Sequence, residues 1–387
     1  MDAALAPFCT IGMGEPPEGA DNSMREVHFR LLGLGGVGAT LLRFLRDARL
    51  RSRLAERAGL RFVPVLLADS RGFVADPAGL SDAVIDGVLE HKSAGGSLAQ
   101  LEGALSLEEL ITALPGVGEG TGEILIDATA SDQTLPALFQ GLDAGGGVVL
   151  ANKKPLAADW EAFERLTRGR RCRYEATVGA GLPIIATLHG LLDSGDEITS
   201  LRGCFSGTLG FLCSALNRGE TYSAAVRQAH EAGYTEPDPR DDLCGLDVAR
   251  KALILSRVMG RALELADLRV EPMIPGLLEG LSQQDFMRRL PEADPEMASM
   301  VKDARRRGRV LSYVADLTGE APTVGLREVE PGSPIGRLAG ADNIVVFHTA
   351  RYNQTPLVIQ GPGAGREVTA AGVLSDMISL AREGSTR

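Results

Sequence analysis

Short apolar runs separated by amphipathic stretches dominate the first 155 residues of the chain. Four of these runs have the length and composition of buried strands, at residues 27–32, 62–68, 123–128 and 147–150. A stretch with helical periodicity, residues 39–46, follows the first run closely. Apolar strands that alternate with helices are typical of a parallel sheet covered on both faces. The pattern therefore predicts an α/β fold built on a doubly wound parallel sheet.

The pattern changes after residue 155 and predicts a second unit of the α+β class. Helical periodicity predicts helices at residues 160–168, 184–192, 207–217, 243–259 and 368–382. Shorter β-rich runs predict strands at residues 173–177 and 200–205. Antiparallel strands are expected at residues 309–318, 322–330, 343–351 and 356–360.

Composition and charge argue against several classes of partner. The 387 residues carry a formal net charge of −11, whereas nucleic acids and anionic membranes need a positive surface. The five cysteines contain no CxxC pair, which disfavours a disulfide framework or a zinc site and fits a cytoplasmic location. No apolar run approaches the roughly 18 residues of a membrane span. Residues 1–24 contain glycine, proline and acidic groups and are expected to be a flexible extension.

A GxGxxG motif lies between the first predicted strand and the first predicted helix. Its glycines are Gly33, Gly35 and Gly38. They would allow a tight turn, the approach of a pyrophosphate and close helix–strand packing, while the helix N-terminus offers free N–H groups. A tight turn that binds nothing is the alternative, but the strand–motif–helix order favours a Rossmann-type dinucleotide site.

The end of the second strand leaves the choice of dinucleotide open. Asp69 there could bond the 2′-hydroxyl of NAD, whereas Ser70 and Arg71 could hold the 2′-phosphate of NADP. These two readings oppose each other, and an exposed loop charge is a third reading for Arg71.

An acidic loop, residues 233–242, and the helix after it carry the other candidate chemistry. A loop stiffened by prolines could hold the ammonium group of an amino-acid substrate, although a solvated loop explains the same residues. Asp247 and Lys251 share a helix face. Their spacing alone favours a surface ion pair over a lysine that transfers a proton in a cleft.

Residues 233–251 nevertheless contain the most specific pattern in the chain. They read Gly-Tyr-Thr-Glu-Pro-Asp-Pro-Arg-Asp-Asp-Leu-Cys-Gly-Leu-Asp-Val-Ala-Arg-Lys. Six further segments match the same family pattern in the expected order along the chain. They are residues 33–38, 152–154, 174–183, 205–209, 361–365 and 369–372. Together these segments resemble homoserine dehydrogenase, in its monofunctional form without an aspartokinase or an ACT domain. The resemblance covers nearly everything after residue 25.

The resemblance implies an enzyme that interconverts aspartate semialdehyde and homoserine with NADP or NAD, in threonine and methionine biosynthesis. It makes Lys251 and Lys153 the proton-transfer groups, and Asp247 the residue that orients Lys251 and the substrate. Glu236 and Asp242 would bind the substrate ammonium group. The pocket would be lined by Thr208 and the backbone of Gly207.

The resemblance also implies the cofactor contacts and a cation site. The expected cofactor contacts are Gly33, Gly35, Gly36, Val37, Gly38, Ser70, Arg71, Thr129, Lys153 and Gly365. A monovalent cation, Na⁺ or K⁺, would be held by the Glu175 carboxylate with the carbonyls of Val178, Ala180 and Leu182. The irregular glycine-rich turn fits this expectation because it frees carbonyl oxygens.

The expected domains are a dinucleotide-binding domain at residues 25–155 and a catalytic and dimerisation domain at residues 156–340. A C-terminal segment, residues 341–387, would return to the first domain. A homodimer is implied by the resemblance, with the antiparallel strands after Arg309 as the candidate interface. Two other classes stay open on the residues alone, namely another Rossmann amino-acid dehydrogenase and a non-catalytic dinucleotide sensor.

Overall fold

The computed structural model describes residues 24–101 and 123–383. Its first sheet has the order β3-β2-β1-β4-β5-β6. The strands are β1 Arg25–Leu32, β2 Leu60–Ala68, β3 Phe73–Ala75, β4 Ile124–Asp127, β5 Gly147–Leu150 and β6 Cys172–Arg173. All pair in parallel except β3, which runs antiparallel to β2. This arrangement confirms the predicted parallel α/β fold.

Helices follow the strands of this sheet. They are α1 Gly36–Arg46, α2 Ala48–Ala58, α3 Asp82–Ser93, α4 Leu135–Asp143 and α5 Trp160–Thr167. Both faces of the central strand β1 are covered, because Phe29 and Leu31 belong to one buried cluster and Leu32 to another. Burial of the strands on both sides explains the apolar runs in the sequence.

A second, mostly antiparallel sheet has the order β12-β11-β7-β9-β10-β8. Its strands are β7 Ile198–Cys204, β8 Arg269–Val270, β9 Val310–Asp316, β10 Thr323–Val329, β11 Asp342–Thr349 and β12 Leu357–Pro362. The helices of this half are α6 Ile184–Asp193, α7 Gly207–Arg218, α8 Tyr222–Glu231, α9 Arg240–Leu243, α10 Leu246–Val258, α11 Gln283–Arg289 and α12 Asp294–Arg306. The α+β prediction is confirmed. None of the helices in the described ranges has the length and hydropathy that crossing a membrane needs.

The last helix, α13 Arg366–Glu383, packs against α1 of the first unit. Its buried residues Ala370, Val373 and Met377 share one apolar cluster with β1 and α1. The preceding strands β11 and β12 belong to the second sheet. The chain therefore crosses between the two units in the loop between β12 and α13.

Two predicted elements differ from the structure. The strand predicted at 173–177 ends at Arg173, and Glu175–Thr177 forms a 3₁₀ turn. The turn is favoured because the Glu175 carboxylate accepts hydrogen bonds from the backbone N–H groups of Ile185 and Ala186, at the start of α6. The helix predicted at 243–259 is interrupted at Gly245, whose φ of 74° is left-handed, and α10 starts after it.

The limits of the sheets also differ from the expected domain limits. Strand β6 extends the first sheet beyond residue 155, and β11 begins the returning segment inside the second sheet. Sheet membership depends on contacts distant in the sequence, which the local pattern does not encode. The expected extension 1–24 lies outside the described residues except for Met24, and the domain roles stay predictions.

Candidate active site

The glycine motif lies at the carboxyl edge of the first sheet, where β1 leads into α1. Gly33 has a φ of 97°, and a Cβ there would lie 2.7 Å from the Ala128 carbonyl carbon. A Cβ on Gly38 would lie 2.0 Å from the Gly33 carbonyl oxygen, so the helix and the turn pack too closely for any side chain. At Gly35 no atom of the described part of the chain lies within 4 Å of the Cβ position. The motif therefore has a tight inner side and an open outer side that can admit a ligand.

A cavity of about 1310 Å³ opens beside this motif. Its lining includes Gly33, Gly35, Ser70 and Thr129 among the expected cofactor contacts, together with Lys92, which the sequence did not single out. The N-cap residue Gly35 supplies no side-chain hydrogen bond to α1. Free backbone N–H groups at this end of α1 suit phosphate groups. The residues present thus fit a dinucleotide.

The carboxylate of Asp69, at the end of β2, is fully engaged by the protein. Its Oδ1 accepts hydrogen bonds from the backbone N–H groups of Arg71 and Gly72. Its Oδ2 accepts from Lys92 Nζ at 2.7 Å and from the Leu98 backbone N–H at 2.9 Å. Burial opposes ionisation, but the Lys92 ammonium and the N–H groups outweigh it, and the pKa of Asp69 is lowered. Ser70 and Arg71 are exposed beside it.

The loop after β4 is held by a buried acid that the sequence pattern did not reveal. Asp127 is fully buried and accepts hydrogen bonds from Thr129 Oγ1, Thr134 Oγ1 and Asn152 Nδ2, at 2.6–3.0 Å. Thr129 and Thr134 line the cavity. Asn152 directly precedes Lys153, so the same network holds the start of the Lys153 segment. A buried carboxylate with this many donors keeps both segments in place.

Lys153 and Lys251 meet at one carboxylate, that of Asp247. Lys153 Nζ contacts Asp247 Oδ1, and Lys251 Nζ lies 2.8 Å from Asp247 Oδ2. The Lys251 ammonium also donates to the Phe205 carbonyl oxygen at 2.6 Å. Its side chain is only 10% exposed, whereas that of Lys153 is 30% exposed. The surface ion pair favoured by spacing alone is therefore wrong, because packing against Phe205 buries the lysine.

The charged groups in this cluster shift one another's pKa values. Burial lowers the pKa of Lys251, Asp247 opposes the shift, and the Lys153 ammonium adds to it, so that the net pKa lies below its ordinary value. Burial works against the Asp247 carboxylate, but both lysines outweigh it and its pKa is lowered. A lysine with a lowered pKa beside a fixed carboxylate is suited to proton transfer near neutral or mildly alkaline pH.

The acidic loop joins this cluster through Asp242 and α7. Asp242 Oδ2 accepts a hydrogen bond from the Glu236 backbone N–H at 2.8 Å, and its Oδ1 lies 3.3 Å from Thr208 Oγ1. Burial raises the pKa of Asp242. The Glu236 side chain is exposed, and Gly207 begins α7 next to Thr208. The predicted substrate residues therefore lie together, while their role in binding stays a prediction.

The turn expected to hold a cation has carbonyl oxygens available. Within the described residues, the carbonyls of Val178 and Ala180 accept no hydrogen bond, whereas that of Leu182 accepts one from the Ile184 N–H. Ala180 has a positive φ of 58°, which turns the backbone irregularly. Burial raises the pKa of Glu175, whose oxygens already bond the start of α6.

No group of three or more histidine, cysteine or acidic residues in the described ranges could hold a metal ion. A cation at this turn would depend mainly on carbonyl oxygens, and it stays a prediction.

The loop between β12 and α13 reaches the glycine motif. A Cβ on Gly36 would lie 2.6 Å from Arg366 Nε, which places the Arg366 side chain directly on Gly36. The adjacent Gly365 has a φ of 123°. Asn343, fully buried, packs its amide against Gly363, and neither polar atom of that amide has a hydrogen-bond partner among residues 24–101 and 123–383. Arg366 and Asn343 gave no motif signal, because their positions depend on the crossing of the chain.

The fold and the site define a class, that of the Rossmann-fold oxidoreductases with a second, α+β unit, in which a lysine from each unit contacts one carboxylate. The family model described as homoserine dehydrogenase matches residues 183–378. A homoserine dehydrogenase of Paracoccidioides brasiliensis (strain Pb18) is 36% identical over 377 residues, which cover 92% of this chain and 98% of that protein. The chain belongs to the homoserine dehydrogenase family, and this confirms the resemblance.

Plant relatives are longer proteins. The Zea mays bifunctional aspartokinase/homoserine dehydrogenase 2 is 43% identical over 267 residues, which cover 67% of this chain and 29% of the relative. The chain thus spans less than half the length of such bifunctional relatives.

Solved structures agree on the fold. A Candida auris protein of unknown function has a TM-score of 0.80 at 31% identity, with 92% of this chain and 98% of that chain covered. A hyperthermophilic archaeal homoserine dehydrogenase in complex with NADPH has a TM-score of 0.69 at 23% identity, with 93% and 98% covered. The second match supports the fold alone.

Proposed function

We propose that the chain is an NAD(P)-dependent homoserine dehydrogenase that interconverts L-homoserine and L-aspartate 4-semialdehyde. One observation carries the proposal. Lys153, from the dinucleotide-binding unit, and Lys251, from the second unit, share the carboxylate of Asp247. A proton-transfer cluster therefore lies where the two units meet, next to the acidic loop.

The chain's own residues account for the proton in this reaction. When bound, the dinucleotide accepts the hydride during oxidation and supplies it during reduction. In the oxidation direction, neutral Lys251 takes the proton of the homoserine hydroxyl; in the reduction direction, its ammonium form returns that proton to the developing alkoxide. Asp247 holds Lys153 at its Oδ1 and Lys251 at its Oδ2, and the Phe205 carbonyl fixes the direction of the Lys251 amine.

The acidic loop would select an amino acid by its ammonium group. Asp242 is half-buried beside Thr208, and Glu236 offers a second carboxylate from the same loop. A half-buried acid such as Asp242 stabilises a substrate ammonium better than a water-exposed acid does, and the exposed Glu236 adds a second negative charge.

The proposal is tested by following reduced-nicotinamide absorbance with purified protein, NADP or NAD, and L-homoserine. Turnover is expected with L-homoserine, and at most a trace with 4-hydroxybutanoate, which has the same alcohol without the ammonium group. Turnover of a different amino acid instead would identify another amino-acid dehydrogenase. Dinucleotide binding with no turnover of any amino acid would indicate a sensor.

NADP is the proposed preferred cofactor. The Asp69 carboxylate already accepts four hydrogen bonds and is poorly available to a 2′-hydroxyl. Ser70, Arg71 and Lys92 lie around it and suit a 2′-phosphate.

Lys92→Ala is expected to raise the KM for NADP about tenfold and to leave the KM for NAD unchanged or lower. The change removes a cation near the 2′-phosphate and frees Asp69, which repels the phosphate and can bond the NAD ribose. Steady-state rates with each dinucleotide measure the effect, with Lys302→Ala on the exposed side of α12 as the matched control. Equal losses for NADP and NAD would contradict it.

A monovalent cation at residues 175–182 is part of the proposal. The carbonyls of Val178 and Ala180 are free of hydrogen bonds within the described residues, and hard cations prefer oxygen ligands. Helix α13 packs tightly on this turn, since a Cβ on Gly372 would lie 2.9 Å from the Ala180 carbonyl oxygen. Turnover in sodium chloride, compared with tetramethylammonium chloride at equal ionic strength, measures the dependence. The homodimer and the cytoplasmic location stay predictions.

A further inference from the structure

We propose that Arg366, the first residue of α13, binds the pyrophosphate of the dinucleotide. The identity of the ligand rests on the proposed function, and the role of Arg366 goes beyond it. The residue directly follows the loop through which the chain returns from the second sheet to the first unit. A phosphate contact from this loop lets the C-terminal helix contribute directly to cofactor binding.

The Arg366 side chain lies on the backbone of the glycine motif. A Cβ built on Gly36 would be 2.6 Å from Arg366 Nε, 2.8 Å from its Cδ and 3.0 Å from its Cγ. Gly36 is the first residue of α1, and the neighbouring Gly35 has open space on its outer side. The Arg366 side chain is thus placed over the first residue of α1, one residue from Gly35, which lines the cavity.

The charges around Arg366 favour an anion. No carboxylate in residues 24–101 and 123–383 forms an ion pair with its guanidinium. The first turn of α1 has no acidic residue. The adjacent Glu367 is exposed, and successive helix residues point in different directions. A guanidinium beside the positive end of a helix is unfavourable alone and becomes favourable once a phosphate lies between them.

The backbone at Arg366 is fixed by close contacts that need no ligand. A Cβ on Gly181 would lie 2.3 Å from the Val368 carbonyl oxygen, which holds the first turn of α13 against the 175–182 turn. Asn343 packs on Gly363 at the start of the loop. The Arg366 side chain therefore starts from a fixed backbone, so binding costs side-chain entropy but little backbone entropy.

The position distinguishes the pyrophosphate from the 2′-phosphate. Gly36 begins α1, where a Rossmann fold holds the pyrophosphate. Ser70 lies at the end of β2, on the ribose side, and Lys92 of α3 reaches the same place through its contact with Asp69. NADP and NAD share the pyrophosphate and differ only at the ribose. Loss of the Arg366 guanidinium must then weaken the binding of both dinucleotides to the same degree.

The experiment titrates NADPH and NADH into the full-length protein without homoserine, using nicotinamide fluorescence to measure Kd. Arg366→Gln is expected to raise the Kd for NADPH and the Kd for NADH about tenfold or more, and to reduce the salt dependence of binding. Arg366→Lys should recover part of the loss. Arg382→Gln, at the exposed far end of the same helix, is the matched control, and Lys92→Ala should weaken NADPH alone.

Unchanged Kd values in Arg366→Gln would overturn the proposal. A loss confined to NADPH would overturn the pyrophosphate assignment. Because Arg366 is exposed, an unaltered melting temperature is expected, and Arg366→Lys gives a second reading if the glutamine variant fails to fold. If the wild-type protein binds neither dinucleotide, both this proposal and the proposed cofactor are wrong. If it binds the dinucleotides but does not turn over homoserine, only the proposed activity is wrong.

Discussion

Lys251→Ala is expected to lower the turnover number of homoserine oxidation about 100-fold or more, because the group proposed to take the hydroxyl proton is lost. The amine is buried and held by two fixed oxygens, those of Asp247 and Phe205. A general base in so fixed a position cannot be replaced by a solvent molecule at the same point. Initial rates with saturating homoserine and NADP measure the effect, with dinucleotide affinity expected to change little.

The matched control for this variant is Lys302→Ala, because Lys302 is an exposed lysine of α12 outside the lysine–carboxylate cluster. Lys251→Arg keeps a positive charge but cannot lose its proton near neutral pH, so its turnover should stay low. Turnover within a factor of a few of wild type in Lys251→Ala would remove Lys251 from the proton-transfer role and leave Lys153 as the candidate.

Asp247→Asn is expected to lower turnover about tenfold or more and to shift the pH–rate profile to lower pH. Asp247 raises the pKa of Lys251 against burial and the Lys153 charge, so removing the carboxylate lowers that pKa further. Oxidation needs neutral lysine, so its rate rises as the pH rises through this pKa. The acidic limb of its pH–rate profile therefore moves to lower pH. Reduction needs the ammonium form, so its alkaline limb moves in the same direction.

Rates of oxidation and of reduction over a range of pH measure the shift of the profile. A purely structural loss of activity would lower the rates without shifting the profile. Asp303→Asn, an acid on the partly exposed surface of α12, is the matched control. A fall in turnover with an unmoved pH profile would mean that Asp247 only supports the fold around the two lysines. Thermal melts of each variant separate that case from a proton-transfer effect.

Local features of the sequence predicted much of the fold. The run at 147–150 coincides with β5, and the glycine motif lies between β1 and α1 as expected. These predictions succeed because strand burial and the glycine turn depend on residues adjacent in the chain. The four-residue spacing of Asp247 and Lys251 likewise fixed their shared helix face.

The same spacing gave no indication of what the helix face contacts. Burial of Lys251 depends on the Phe205 segment, and the third member of the cluster, Lys153, is 94 residues from Asp247. Only the resemblance of the long motif pointed to a site there. The strand predicted at 173–177 was wrong for a related reason, since contacts with α6 and α13 convert its second half to a turn.

By itself, the sequence determined the class of fold and the family, because these depend on local patterning and on a long ordered motif. The proton-transfer roles of Lys251 and Lys153 follow from the resemblance and stay predictions. The tertiary structure alone decided that Asp69 is engaged by Lys92, that two distant lysines share one carboxylate, and that Arg366 lies on Gly36. Each of these contacts joins segments far apart in the chain. Their geometry follows from how whole elements pack, and no local spacing encodes it.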